Sequence, residues 1–193
     1  STASKGDWNV MSDPPLPTPP IMVGDLHPAC LDNDALRKEC QETFGRQRGP
    51  GGQHRNSRDS AVHLQHMPTG VEIVAAERRS QQENRRVAWR RLRLKLARRV
   101  RRRIDTNRYI CSELWESRRQ GNKMSVSPSH PDYPPLLAEA MDVVEGRAWD
   151  VRGAAGTLNI SMSQLVRLVR HDAGAFERVN RGRIARGWHA LRK

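Results

Sequence analysis

The run Arg48-Gly49-Pro50-Gly51-Gly52-Gln53-His54-Arg55-Asn56 holds the residue types best suited to chemistry in this chain of 193 residues. Gly49, Gly51 and Gly52 can take positive φ and let the loop approach another backbone closely. Gln53 carries an uncharged amide with two N–H donors and a carbonyl acceptor. It can therefore enter a site already crowded with phosphates. A Gly-rich hairpin loop without activity would contain the same Gly-Gly pair, so the flanking residues must decide. A nucleophilic triad is the poorer reading. His54, Ser57 and Asp59 lie close in sequence, but adjacency on a loop does not supply relay geometry. Cys30, Cys40 and Cys111 form no C-x-x-C pair and the seven His residues are scattered, so neither a disulfide framework, a metal site nor a cofactor is expected.

The elements that must hold this loop can be read on its C-terminal side. Residues 34–40 form a short first element, helix or strand. Ser60-Ala61-Val62-His63-Leu64-Gln65-His66 alternates as a strand does, with Val62 and Leu64 on one face. His63 and His66 then fall on opposite faces. Met67-Pro68-Thr69-Gly70 is a turn, and residues 71–76 are a second strand, which makes a hairpin. Ser80 and Glu83 form a capping box before a long helix. Its apolar stripe is Trp89, Leu92, Leu96, Val100 and Ile104, spaced to cover a sheet face. Residues 85–103 carry Arg85, Arg86, Arg90, Arg91, Arg93, Lys95, Arg98, Arg99, Arg101, Arg102 and Arg103, and no acid. Without acids at i,i+4 these charges repel one another. A phosphate backbone would neutralise them, so binding is preferred over a merely solvated face.

In context the glycine loop acquires a relative. The Gly49-Pro50-Gly51-Gly52-Gln53 loop with Asn56, the His66-Met67-Pro68-Thr69-Gly70 turn, and Arg79-Ser80-Gln81-Gln82-Glu83-Asn84-Arg85 follow one another in order. This series resembles the catalytic domain of bacterial-type peptide chain release factors and their ribosome-rescue relatives, over about residues 36–104. The resemblance implies that Gly51, Gly52 and Gln53 are the catalytic tip. The loop would reach into the ribosomal peptidyl transferase centre, and Gln53 would orient a water against the ester of peptidyl-tRNA. Arg46, Arg48, His54, Arg55, Arg58, Arg78 and Arg79 become candidates for RNA contacts. So do Arg85, Arg86, Arg90, Arg91, Lys95, Arg98 and Arg99 on the helix. The implied partners are the ribosome, through large-subunit rRNA and peptidyl-tRNA, and a glutamine methyltransferase acting on Gln53. Close relatives have Asn-Lys after the loop, whereas this chain has Asn56-Ser57-Arg58, which displaces the basic charge by one position.

The remaining sequence sets the frame. The expected fold class is α+β: a small domain of β-hairpin plus long basic helix, followed by a small all-α unit resembling a helix-turn-helix. Residues 1–30, Pro-rich at 14–20, read as a disordered tail. Residues 31–106 form the catalytic-type domain, and 107–131 a basic helix extension and linker. Residues 132–193 form a helical bundle. Leu136 to Val144 gives one helix, Trp149 to Leu158 a second, and Leu165 to Val169 a third, capped by Ser161 or Ser163. Residues 175–187 give a fourth, with Phe176, Val179 and Ile184 inward. Gln164, Arg167 and Arg170 on the third helix are candidates for reading nucleic acid. Arg178, Arg181, Arg183, Arg186, Arg192 and Lys193 would extend its cationic face.

The formal net charge of +13, from 34 Lys+Arg against 21 Asp+Glu, points to a polyanionic partner. No apolar run is long enough for a membrane span, and residues 1–30 carry no signal-peptide pattern. A cytoplasmic monomer without a membrane partner is expected. No codon-reading domain and no Pro-x-Thr or Ser-Pro-Phe tripeptide in a suitable place is visible, so hydrolysis independent of a stop codon is the expected activity. The alternatives are a DNA-binding helix-turn-helix protein and a non-catalytic ribosome- or RNA-binding factor.

Overall fold

The computed structural model describes residues 19–45 and 60–192. The chain begins with β1 (Ile21–Val23), a 3-10 turn at Pro28–Cys30, α1 (Asn33–Lys38) and β2 (Cys40–Gly45). Then come β3 (Ala61–His66), β4 (Val71–Ala75), α2 (Gln81–Arg99) and β5 (Val100–Arg102). After these follow α3 (Glu113–Arg118) and the two-residue strands β6 (Arg119–Gln120) and β7 (Lys123–Met124). Four helices complete the chain: α4 (Tyr133–Gly146), α5 (Val151–Thr157), α6 (Met162–Arg170) and α7 (Ala173–Ile184). Among the described residues the architecture mixes α and β as far as Met124 and is helical thereafter.

The main sheet has the order β2-β3-β4, antiparallel throughout. Val62 and Leu64 point inward and are fully buried, as the alternation requires. Gly70, at φ +66, closes the β3–β4 turn in a conformation that L side chains resist. α2 lies across the inner face of the sheet and buries Ala88, Leu92 and Leu96. Ser80 caps the helix by accepting from the Glu83 N–H. One short element read as helix or strand is in fact both: α1 covers residues 33–38, and the strand β2 follows at once. The added strand sits at the edge of the sheet and carries Gln41, Glu42 and Thr43, which is why no apolar alternation announces it.

Two boundaries differ from expectation. The basic helix ends at Arg99, although its stripe continues through Val100 and Ile104. Val100 turns to extended backbone because Val100–Arg102 pairs in parallel with Ile21–Val23. The partner comes from residues expected to be a tail. Residues 21–30 are held by this pairing and by His27, whose Nε2 donates to the Val100 carbonyl at 3.1 Å. Arg93 donates to the carbonyls of Ala29 and Leu31. Residues 1–18 lie outside the described part. The stretch expected to extend the basic helix, 107–131, instead holds the separate helix α3, capped by Ser112, and the β6–β7 pair.

His27 is almost wholly buried and accepts from the Ala29 N–H through Nδ1. That pattern suits the neutral ring. Burial, aided by the positive charges of Arg101 and Arg102, lowers its pKa from 6.5 to about 3. The unfolded chain therefore binds a proton that the folded chain refuses between these values. Stability is complete above pH 6.5 and falls as the pH drops toward 3. Urea unfolding at a series of pH values is expected to show this slope, and His27→Gln is expected to remove it.

The C-terminal helices pack directly on the sheet-bearing half, α4 against α2 and β5. Their joint is ionic and largely dry. Arg101, 2% exposed, donates through Nε to Glu145 at 2.6 Å. Arg178 reaches the same carboxylate from α7, Nε to Oε1 at 2.7 Å. Arg102 donates to Asp142 at 2.8 Å. Burial pushes the Glu145 carboxyl up, but Arg178 and Arg101 outweigh it and hold the group below its usual value. Asp142, shut away from water, is shifted upward by burial in spite of its arginines.

Within the helical half, Ser161 caps α6 by accepting from the Gln164 N–H. α5 starts at Val151 with Asp150 as its cap, because Ala148 and Trp149 take positive φ. α7 runs from Ala173 to Ile184, and Ile184 is 40% exposed rather than inward. Gly182 of α7 is required by its neighbour: a Cβ there would meet the Trp149 ring at 2.1 Å. No helix among the described residues is long and apolar enough to cross a membrane.

Candidate functional site

The segment that holds Gly51-Gly52-Gln53 is bounded by two paired strand ends. β2 and β3 pair over six residues, from Cys40↔His66 to Gly45↔Ala61. Residues 46–59 connect the paired ends Gly45 and Ala61. Gly51, Gly52, Gln53, Arg46, Arg48, His54, Arg55 and Arg58 lie within this connection and outside the described residues. What the structure does describe is the frame that anchors it.

Asn84 is the centre of that frame. It is fully buried in the first turn of α2. Its Nδ2 donates to the Ser60 carbonyl at 2.7 Å and to the Arg78 carbonyl at 2.8 Å, and its Oδ1 accepts from the Arg78 N–H at 2.8 Å. One side chain thus ties the end of the loop, the end of β4 and the start of the helix. Both amide donors and the acceptor are used, so the side chain fits its place without an unsatisfied group. Asn84→Asp keeps the shape but puts an oxygen against two carbonyls. We expect Asn84→Asp and Asn84→Ala each to lower stability by about 3 kcal/mol, read from urea denaturation.

A second support lies at the other end of β3. His66, 1% exposed, links Thr69 Oγ1 at 2.7 Å and Glu39 Oε2 at 2.8 Å through its two ring nitrogens. The His-Met-Pro-Thr-Gly turn is thereby fastened to α1. Thr69 also accepts from the Val71 N–H. His63 points to the outer face beside Glu72, as the strand period requires. Glu39, Glu42 and Asn84 were not among the site candidates. The apolar pattern gave no signal for them; Asn84 appeared only as a member of the Arg79–Arg85 run, four residues after the Ser80 cap.

The basic helix is less free than its composition suggests. Arg85 makes a two-pronged ion pair with Glu42 of β2 at 2.7–2.8 Å. Arg91 pairs with Glu77. Arg98 stands 3.5 Å from Asp172, and Arg101 and Arg102 are engaged with Glu145 and Asp142. Arg90 donates to the Pro128 carbonyl and Lys95 to the Glu72 carbonyl. Mutual repulsion along the helix is therefore relieved in part by carboxylates from other elements, which a count of i,i+4 partners does not reveal. Arg78, Arg79 and Arg86 are exposed and make no ion pair among the described residues. They sit at the entry to α2, beside the end of the loop that Asn84 fastens. Arg99, half-buried, lines a shallow cleft between α2 and α7 together with Lys95, Arg98 and Arg181.

On α6, Arg167 and Arg170 are exposed, while Gln164 is half-buried and accepts from the Met124 N–H at 3.4 Å. Arg178, expected on the cationic surface, is buried in the ion pair with Glu145. Arg183 packs over the Trp188 ring at 5.5 Å. Lys193 lies outside the described residues. Among the described residues no three His, Cys, Asp or Glu side chains stand close enough to hold a metal ion.

Comparison with known proteins assigns this frame. Residues 32–127 match the model of the RF-1 domain. A stretch of 72 residues, 37% of this chain, is 54% identical to peptide chain release factor 2 of Variovorax paradoxus (strain S110), of which it covers 17%. The protein of the same name from Caulobacter sp. (strain K31) is 51% identical over 72 residues, again 37% of this chain and 17% of the relative. That from Acidovorax sp. (strain JS42) is 56% identical over 48 residues, 25% of this chain and 13% of the relative. The chain thus spans less than a fifth of the length of the curated relatives it matches. The matched stretch takes in α1, the whole three-stranded sheet, α2, α3 and the β6–β7 pair. Through residues 32–127, just under half of its length, the chain carries an RF-1 domain, the domain it shares with bacterial peptide chain release factors.

Proposed function

We propose that this chain hydrolyses the ester of peptidyl-tRNA in the peptidyl transferase centre of the ribosome, without reading a stop codon. The observation that carries the proposal is the pairing of the strand ends Gly45 and Ala61, between which the sequence holds Gly51-Gly52-Gln53, within the stretch that matches the RF-1 domain. Exposed Arg78, Arg79 and Arg86 flank its base and suit contact with rRNA phosphates. Arg46, Arg48, His54, Arg55 and Arg58 on the loop would extend that contact.

In this reading, Gln53 holds a water in line with the ester carbonyl. Backbone N–H groups at the tip stabilise the oxyanion as the tetrahedral intermediate forms. The glycines are needed because any Cβ at the tip would keep the backbone away from the tRNA end. The amide of Gln53 is the site for a methyltransferase in the same reading. Rescue of stalled ribosomes follows if the helical unit at 132–193 supplies the second hold on RNA, since its first helix, α4, packs against α2.

The test is release of labelled peptide from ribosomes carrying peptidyl-tRNA on truncated mRNA, compared with ribosomes paused at a stop codon. Release from the truncated complex, with no advantage for the stop codon, is the expected outcome. Release only at the stop codon would overturn the codon-independent part of the reading.

A further inference from the structure

A groove of about 740 Å3 lies between β7 with the segment after it and helix α6. Its floor is apolar, from Met124 and Leu168. Its walls bring Arg118, Lys123 and Arg167 together with His130 and His171, and no carboxylate is among the lining residues. Arg118 is held in place by Asp132. Lys123 and Arg167 are exposed and have no ion-pair partner among the described residues.

The same walls argue against insertion of α6 into a DNA groove. A recognition helix reads base edges with its N-terminal residues, which must be bare. Here the start of α6 is covered on one side, although Met162 and Ser163 stay exposed. The Ser161 N–H donates to the Asn122 carbonyl at 2.9 Å, and Gln164 accepts from the Met124 N–H. The turn between β6 and β7 therefore stands where the edge of a base pair would have to lie. Lys123 comes from β7 and Arg167 from one helical turn further along α6, so two cations face one groove from opposite walls.

We infer that this groove binds single-stranded RNA. Lys123 and Arg167 take successive phosphates, with the Asp132-paired Arg118 beside them, and the rings of His130 and His171 offer flat faces for unstacked bases. Hydroxyls of Ser125 and Ser127 on the rim suit the 2′-OH. The inference concerns binding of free RNA and goes beyond the proposed hydrolysis, so it stands or falls without the ribosome.

The experiment uses the full chain and a short fluorescent single-stranded RNA carrying 4-thiouridine. Anisotropy gives the affinity across salt concentrations, and ultraviolet crosslinking followed by peptide mapping gives the contact. The variant Lys123→Glu/Arg167→Glu is compared with Lys38→Glu/Arg152→Glu, which makes the same change in net charge on exposed residues elsewhere. Circular dichroism of each establishes folding. Expected are crosslinks within residues 118–130 and 161–171, and affinity about tenfold weaker for the groove variant than for its charge-matched control. The salt slope should shrink by about 1.4 for two lost phosphate contacts. Equal affinity for the two variants, or crosslinks confined to other segments, would overturn the inference. So would tighter binding of a duplex DNA than of the RNA, which would return α6 to base reading.

Discussion

Glu145→Ala is expected to lower the stability of this protein by about 3–5 kcal/mol, the usual cost of removing one partner from a buried charge cluster. Glu145 accepts from Arg101 of β5 and from Arg178 of α7 at the same time. Without it, Arg101 keeps its bonds to the Ala97, Val100 and Arg98 carbonyls, but the carboxylate left to it is Asp142 at 3.8 Å, already engaged by Arg102. A guanidinium that is 2% exposed would be left short of its counter-charge. For a chain of this length the loss corresponds to about 2–4 °C in Tm per kcal/mol, and thermal unfolding followed by circular dichroism reads it directly. Glu177→Ala is the comparison. Glu177 pairs with Arg181 on the surface of α7, and exposed pairs contribute at most about 1 kcal/mol. A fall in Tm no larger for Glu145→Ala than for Glu177→Ala would show that the joint between the two halves does not depend on this cluster.

Gln53→Ala is expected to reduce the rate of peptide release by about 10²-fold or more, since a positioned polar group at a reacting water contributes on that scale. Ribosome affinity should change little, because the charges flanking the loop are untouched. The single-turnover rate at saturating protein separates these quantities: the loss should fall on the rate and not on the concentration needed for half saturation. A variant with unchanged rate would remove Gln53 from the chemistry. Stability should also be unaffected, in contrast to Asn84→Asp, where the frame itself is weakened.

How much of this could be read from the residues follows from the range of the interactions. β3, β4 and their turn rest on local cues, alternation at Val62 and Leu64 and the Pro68 and Gly70 pair. The start of α2 rests on Ser80 and Glu83, three residues apart. β1 and β2 rest on partners far away in sequence. Ile21–Val23 is extended because Val100–Arg102 lies alongside it, and a three-residue strand in a Pro-rich stretch carries no periodic signal. The end of α2 was obscured for the same reason, since Val100 fits both a helical stripe and a strand. The helix charges misled in one respect. Arg85, Arg101 and Arg178 look like free cations in the sequence, but their acids, Glu42 and Glu145, are 33 to 44 residues distant. The loop residues were legible as a motif, because glycines and an amide in fixed order mark chemistry. Their fastening was not, because Asn84 acts through two backbone carbonyls and one N–H that no side-chain pattern records.

The reaction can be followed by the fate of one oxygen atom. Ribosomal complexes with a peptidyl-tRNA on truncated mRNA would be treated with the wild-type protein in water enriched in oxygen-18, and the released peptide weighed by mass spectrometry. Hydrolysis of the ester by a water held at Gln53 breaks the acyl–oxygen bond, leaves the tRNA with its hydroxyl, and places one heavy oxygen in the terminal carboxylate of the peptide. That product, formed with wild type and at least about 10²-fold more slowly with Gln53→Ala, is the predicted result. No released peptide, or a released peptide without the heavy oxygen, would contradict the account.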